Sequence, residues 1–303
     1  MKNKTVGNLL AFLTMAVWAT TFISTKKLLE TLSPVEIMIV RFILAFIMLS
    51  ILFPGRLKME KKQELLCALA GLTGVCAYYF LENYALYYTQ AANVSVVICA
   101  APFFTAAIAT LFGQKGLLNV GFCAGFVFAA VGVALMSFSS AQQLQINPVG
   151  DMLAVACALM WAVYSLLAEK IGTFGYSNGQ ISRKLFFYGT IFSLPLCLTC
   201  DFATLPARLA SFSSIAHILY LGCIASAICY VTWNMSIDRI GPVRAGVYLY
   251  LQPALTIAVS VTVLSETITL RAGIGIFFVL LGLFISEYGK KTYQLLRKHY
   301  KNQ

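Results

Sequence analysis

"GNLLAFLTMAVWATTFISTKKL" (residues 7–28) and "GDMLAVACALMWAVYSLLAEKI" (residues 150–171) are two versions of one pattern, 143 positions apart. Gly7 and Gly150, Trp18 and Trp161, and Lys27 and Lys170 coincide. Further along the chain the offset becomes 151, and Gly71/Gly222, Tyr79/Tyr230, Asn83/Asn234, Pro102/Pro253 and Thr105/Thr256 match in order. The eight extra residues fit a longer loop near 201–212. Ordered glycine, tyrosine, asparagine and proline matches at one spacing mark an internal duplication, which chance likeness of apolar runs does not readily produce.

What is duplicated is membrane-spanning. Of 303 residues, 60% are hydrophobic and 11% charged, outside the range of ordinary soluble domains. The charges sit at intervals, and the apolar stretches between them are long enough, at about 1.5 Å per residue, to cross about 30 Å of hydrocarbon. Ten are legible, near 6–28, 34–53, 64–87, 91–113, 118–138, 149–171, 179–200, 213–236, 242–264 and 270–288. Turn chemistry separates them at Ser33-Pro34, Pro54-Gly55, Asn147-Pro148, Asn178-Gly179 and Gly241-Pro242. The first stretch reads as a retained span and not as a signal peptide, since no small-residue cleavage site follows a short apolar core. The fold class is therefore an all-α membrane protein, with a first repeat at 1–140, a second at 147–289 and a basic tail at 290–303.

Each copy holds five spans, and an odd number forces the second copy into the membrane upside down. The charges agree. With a cytoplasmic N-terminus, 17 of the 22 lysines and arginines fall on the inner side, four on the outer side, and Arg41 within a span. That bias places both termini in the cytoplasm. It also accounts for the net charge of +11 without nucleic acid, because "GKKTYQLLRKHYKNQ" (residues 289–303) suits an anionic inner leaflet. The nine cysteines lie almost all within spans and read as buried free thiols. With only two histidines, no metal or other cofactor is expected. An inverted repeat is the architecture of alternating-access carriers, with a site near the midplane between the copies.

The stretches "WATTF" (18–22), "RFILAF" (41–46), "NYALYYTQAANVSVVICAAPFFTAAIA" (83–109) and "YVTWNMSIDRIGPVRAGVYLYLQPALTIAVSVTVLSETIT" (230–269), with the glycine-spaced last span, resemble the EamA family of the drug/metabolite transporter superfamily. The resemblance covers almost the whole chain. It implies ten helices in two inverted five-helix repeats, cytoplasmic termini, and export of amino acids or other small metabolites. Glu266 falls where the family's second repeat commonly has a glutamate, while the first repeat has Gln114-Lys115 at the matching place. The expected setting is the plasma (inner) membrane, the expected partners are a small-molecule substrate and the bilayer, and the chain is expected to be monomeric.

Several residues are candidates for contact with substrate. Glu82 lies about 9 Å inside the outer end of the third span and Arg41 about 10 Å inside that of the second, at one depth. A charge in hydrocarbon costs on the order of 3 kcal/mol or more, so Glu82 does not face lipid. Two readings stay open: a structural pair with Arg41, or a carboxylate facing a cavity. Tyr79 and Asn83 are one turn apart, as are Tyr230 and Asn234, so the third and eighth helices carry equivalent faces. Glu82 stands beside one pair and Trp233 beside the other. The asparagines also suit plain helix-to-helix ties. Trp18 and Trp161 suit either core packing or an aromatic wall for a flat or cationic ligand. Tyr164, Tyr248 and Gln252 lie at mid-depth in the second repeat. Pro102 and Pro253 read as bends.

A carrier is the leading reading, and a multidrug or cationic-compound exporter is its nearest variant. A membrane enzyme would need a metal pair, an aspartate dyad within the spans or a serine with its base, and the sequence shows none of these. The orientation is testable. A cysteine at Ser211, in the loop read as external, is expected to react with an impermeant thiol reagent on intact cells. Reaction only after permeabilisation overturns the assignment.

Overall fold

The helices begin where short polar side chains can cap them. The computed structural model describes residues 3–55, 57–89, 91–137, 147–252, 254–255 and 270–301. Asn3 caps α1 (Lys4–Leu28) by accepting from Thr5 N and Val6 N. Ser33 and Glu36 form a capping box at the head of α2 (Pro34–Leu52), with Pro34 in the first turn. α3 (Lys61–Tyr88) follows, then α4 in two pieces, Ala91–Ile98 and Ala101–Leu111, and α5 (Val120–Ser137). Asn147 caps α6 (Pro148–Gly172). α7 (Asn178–Ser193) runs out into a 3₁₀ segment, Leu194–Thr199. α8 (Phe212–Ile240) stops at Gly241, whose φ of +85° favours glycine, and Pro242 starts α9 (Pro242–Val247). α10 spans Leu270–Lys301. Among the described residues every regular element is a helix.

α1, α2, α3, α6 and α8 are each long and apolar enough to cross a membrane. Large apolar side chains stand exposed around the outside, among them Leu9, Ile51, Leu111, Phe212, Phe277 and Phe284, as a lipid-facing surface requires. The proline reading is refined at α4. Pro102 does not bend a continuous helix; it opens a second helix after a break at Cys99-Ala100. Pro253 and Glu266 lie outside the described residues.

The packing shows how the two copies are related. Gly179 of α7 lies against Phe53 of α2, and Phe186 meets Phe42 with ring centroids 5.9 Å apart, so the two helices run antiparallel. In the other pair of mates, Gly125 of α5 faces Gly282 and Ser286 of α10, while Gly132 faces Gly275 and Val279. These also run antiparallel. A helix and its own repeat mate can touch in opposite directions only if the axis relating the copies lies across them, which inverts one copy relative to the other. The crossings repeat in detail. Gly7 packs on Ile240 at the end of α8, and Gly150 packs on Thr89 at the end of α3. Gly71 rests on Tyr188 and the Leu185 carbonyl of α7, and Gly222 on Leu44 and the Arg41 carbonyl of α2. Each is a place where two backbones approach too closely for a side chain.

Charged side chains tie neighbouring segments together near both ends of the α2–α7 pair. At one end Arg208, in the loop before α8, donates to both Glu36 oxygens at 2.8 and 2.5 Å. Those bonds push the guanidinium pKa up, while the Thr204 hydroxyl first of all holds Asp201 below its ordinary value. At the other end Arg183 donates to the carbonyls of Phe53 and Gly55, and Lys184 pairs with Glu64 at 2.6 Å.

α3 and α8 share one irregularity. Each widens into a π-helical stretch, Leu72–Ala77 in α3 and Tyr220–Ile228 in α8. Such widening releases carbonyls from the regular ladder.

The glycine crossings yield a matched contrast. A Cβ at Gly132 would meet the Gly275 carbonyl at 2.5 Å, whereas one at Gly273 has nothing within 4 Å. Gly132→Leu is expected to destabilise by about 1–3 kcal/mol or more through overpacking, and Gly273→Leu to be tolerated. Equal melting temperatures for the two variants in detergent would refute the close approach of α5 and α10.

Candidate functional site

Where α1, α2, α3, α6 and the segment just after α9 converge, Trp18, Thr21, Arg41, Tyr78, Tyr79, Glu82, Trp161, Leu249 and Gln252 line a small cavity. Its free space is about 10 Å³, about the least that admits one water.

The walls are aromatic. Trp18 and Trp161 meet edge to face with centroids 5.3 Å apart, and Tyr78 lies 4.8 Å from Trp161. Behind them stand Tyr230, 6.0 Å from Trp18, Trp233, 5.3 Å from Trp18, and Tyr164, 4.9 Å from Trp161. Trp18 and Trp161 are repeat mates, as are Tyr79 and Tyr230, whose rings lie 6.2 Å apart. The cluster therefore straddles the axis between the copies.

The charges come from the first copy alone. Arg41 is 1% exposed. Its Nε donates to Ser226 Oγ at 2.6 Å and its Nη2 to Tyr79 OH at 3.1 Å, with the guanidinium carbon 4.1 Å above the Tyr79 ring. Its Nη1 has no hydrogen-bond partner among the described residues. Glu82 accepts from Tyr78 OH at 2.8 Å and does not form an ion pair with Arg41. Glu82 and Arg41 both line the cavity without pairing, each bonded to its own tyrosine. In the second copy the matching positions are uncharged: Trp233 answers Glu82, Cys229 answers Tyr78, and Leu185 answers Arg41 at the equivalent helix crossing.

Carbonyls of the two π-helical stretches take part here. Tyr230 OH donates to Gly74 O, and Trp18 Nε1 donates to Ala225 O at 2.8 Å. Gly74 and Ala225 are repeat mates, yet they accept from different side chains. Trp161 Nε1, the mate of the Trp18 donor, is buried without a partner among the described residues.

Of the residues named from sequence, Trp18, Arg41, Tyr79, Glu82, Trp161 and Gln252 line the cavity, and Tyr164, Tyr230 and Trp233 form the layer behind it. Asn83 and Asn234 lie elsewhere. Asn83 Nδ2 donates to Pro34 O at 2.9 Å, and Asn234 accepts from Tyr164 OH at 2.6 Å and donates to Ser182 Oγ at 3.1 Å. They tie helices together, the plainer of the readings their position allowed. Tyr248 is not among the lining residues; Leu249 beside it is. Sequence reasoning passed over Thr21, Tyr78 and Leu249. Two of them were accessible to it: Tyr78 is one turn before Glu82, and Thr21 is one turn after Trp18.

Two inverted helical copies packed about an aromatic, charged cavity have the build of a membrane transporter. The family whose profile matches twice, over residues 5–138 and 148–288, is the EamA-like transporter family. The chain belongs to it. It is 30% identical to an uncharacterised transporter of Archaeoglobus fulgidus over 296 residues, covering 94% of this chain and 98% of that protein. It is 26% identical to a protein of Salmonella typhimurium named "Probable amino-acid metabolite efflux pump", covering 95% and 97% of the two chains. It is also 26% identical to one of Streptantibioticus cattleyicolor named "Probable terminal-alkyne amino-acid exporter", covering 84% of each. A solved crystal structure shares the fold with a TM-score of 0.77 at 17% identity, covering 94% of this chain and 97% of that one.

The unequal tryptophans give a sharp test. Trp18→Phe strips the Ala225 carbonyl of its partner and is expected to cost about 1 kcal/mol or more, whereas Trp161→Phe removes only an unpaired donor and is expected to be neutral or stabilising. The comparison is made on melting temperatures. A larger loss for Trp161→Phe contradicts the hydrogen-bond assignment.

Proposed function

We propose that this transporter exports amino acids or related small metabolites by alternating access, from the plasma (inner) membrane with both termini in the cytoplasm. The observation that carries the reading is the cavity at the axis between the copies, where one guanidinium and one carboxylate sit unpaired with each other among stacked rings. The names of the Salmonella and Streptantibioticus relatives support the substrate class. A bare cation suits the rings and Glu82 but is opposed by Arg41, which favours a zwitterion over a cationic drug.

The unequal hydrogen bonds support the mechanism. The cavity has room for about one water, so it holds substrate only after the copies move apart. In an inverted repeat the opposite-facing state follows when the copies exchange conformations. Trp18 and Tyr230 now hold the two π-segment carbonyls. After the exchange their mates, Trp161 and Tyr79, take those places. The rocking elements would then be α3 and α8, while α5 and α10 stay joined through their glycines.

Proteoliposomes loaded with single labelled amino acids test both parts. Saturable counterflow of at least one amino acid is expected, and Glu82→Gln is expected to insert normally while lowering that flux at least tenfold or changing its pH dependence. Wild-type flux by Glu82→Gln across pH 5 to 9 removes the carboxylate from the mechanism, and absence of amino-acid counterflow removes the substrate class.

A further inference from the structure

We infer that the cavity recognises an α-amino acid by both of its charged ends, the carboxylate by Arg41 Nη1 with Trp161 Nε1 and the ammonium by Glu82. The inference rests on the proposed transport of amino acids and adds to it a binding pose and the residues that read each end.

The first ground is the set of unused donors. A guanidinium has five N–H donors, and Arg41 places two of its nitrogens on Ser226 and Tyr79. Among the described residues Nη1 has no partner although the residue is buried, and neither has Trp161 Nε1, on a residue 2% exposed. Both residues line the same cavity. Leaving buried donors unpaired is costly, so two on residues that line one space mark a place for an external acceptor. A carboxylate fits both. It accepts at two oxygens with about four lone-pair sites, and it pairs with a guanidinium through charge-assisted bonds.

The second ground is the carboxylate. Glu82 is 5% exposed and accepts from Tyr78 OH on one of its oxygens. As it lacks an ion pair with Arg41, its charge is available to a ligand ammonium, and the aromatic rings of Trp18, Trp161 and Tyr78 in the same lining suit a cation. A ligand carrying only one charge satisfies one of these residues and is repelled by the other. A zwitterion satisfies both and is neutral overall, which lowers the penalty for bringing it into the membrane interior.

The third ground is asymmetry. Trp18 has its N–H spent on Ala225 O, while Trp161 does not, and the mates of Arg41, Glu82 and Tyr78 are Leu185, Trp233 and Cys229. The lining therefore offers bare donors and a carboxylate that the mates of these residues do not reproduce.

The chain's three tryptophans are Trp18, Trp161 and Trp233, and all belong to this cluster, with ring centroids within 5.9 Å of one another, so intrinsic fluorescence reports on the site alone. The purified full chain in detergent is titrated with each of the twenty L-amino acids. The tightest is then compared with its methyl ester, its N-acetyl derivative and the amine lacking the carboxylate. We expect each derivative to bind at least tenfold more weakly than the parent. In Trp161→Phe, which keeps two reporters and a ring at the position, the ratio of ester to acid affinity is expected to shrink at least threefold with ester binding unchanged; Arg41→Leu is expected to abolish the ratio. An ester or N-acetyl derivative that binds wild type as tightly as the parent overturns the two-ended grip while leaving amino-acid transport standing. A protein whose emission responds to no amino acid overturns the substrate class and this inference together.

Discussion

A guanidinium enclosed within a membrane protein has to be held by groups that are themselves fixed, and Arg41 sets that requirement for three helices at once. It leaves α2, bonds Tyr79 on α3 and reaches Ser226 in the π-helical stretch of α8. A buried charge is tolerated only when its bonds are supplied in good geometry. Supplying them fixes how closely α2 approaches α8, and Gly222 is the residue whose missing side chain permits that approach. The same arginine stacks on Tyr79, whose ring abuts Tyr230 across the axis. The cavity is thus shaped from the inside by one cation.

The two copies kept their shape at the crossings and parted at the centre. Gly7 and Gly150, or Gly71 and Gly222, sit where a Cβ would strike a neighbouring helix, so both copies retain glycine. Around the cavity no such steric rule applies. There one copy carries Arg41, Tyr78 and Glu82 and the other Leu185, Cys229 and Trp233. A duplicated frame with an unduplicated lining gives a substrate whose ends differ something to read.

Much of this was legible in the residues alone, for identifiable reasons. Hydrocarbon thickness sets span length, the caps Ser33 and Asn147 mark helix starts, and ordered glycine matches give the duplication away. Glu82 and Arg41 stood out because charge at that depth is costly. What stayed hidden depends on local winding. No residue pattern announces the π-helical stretches, within which Gly74 O and Ala225 O accept from Tyr230 and Trp18. The repeat predicted equal roles for Trp18 and Trp161, and only the three-dimensional arrangement separates the bonded indole from the bare one.

The way the copies interlock bears on how the protein is made. α1 packs chiefly on α8, α2 on α7 and α8, α3 on α6 and α7, and α5 on α10. Most of what the first five helices will eventually touch is therefore synthesised after them. On leaving the translocation machinery they have hydrophobic length enough to stay in the bilayer, but Gly7, Gly71 and Gly125 still face lipid, and Arg41 has yet to meet Ser226. Sequence repeats and folding units differ here. The first copy is a half-written sentence: Tyr79 of α3 can meet Arg41 early, but the bond to Ser226 waits for α8.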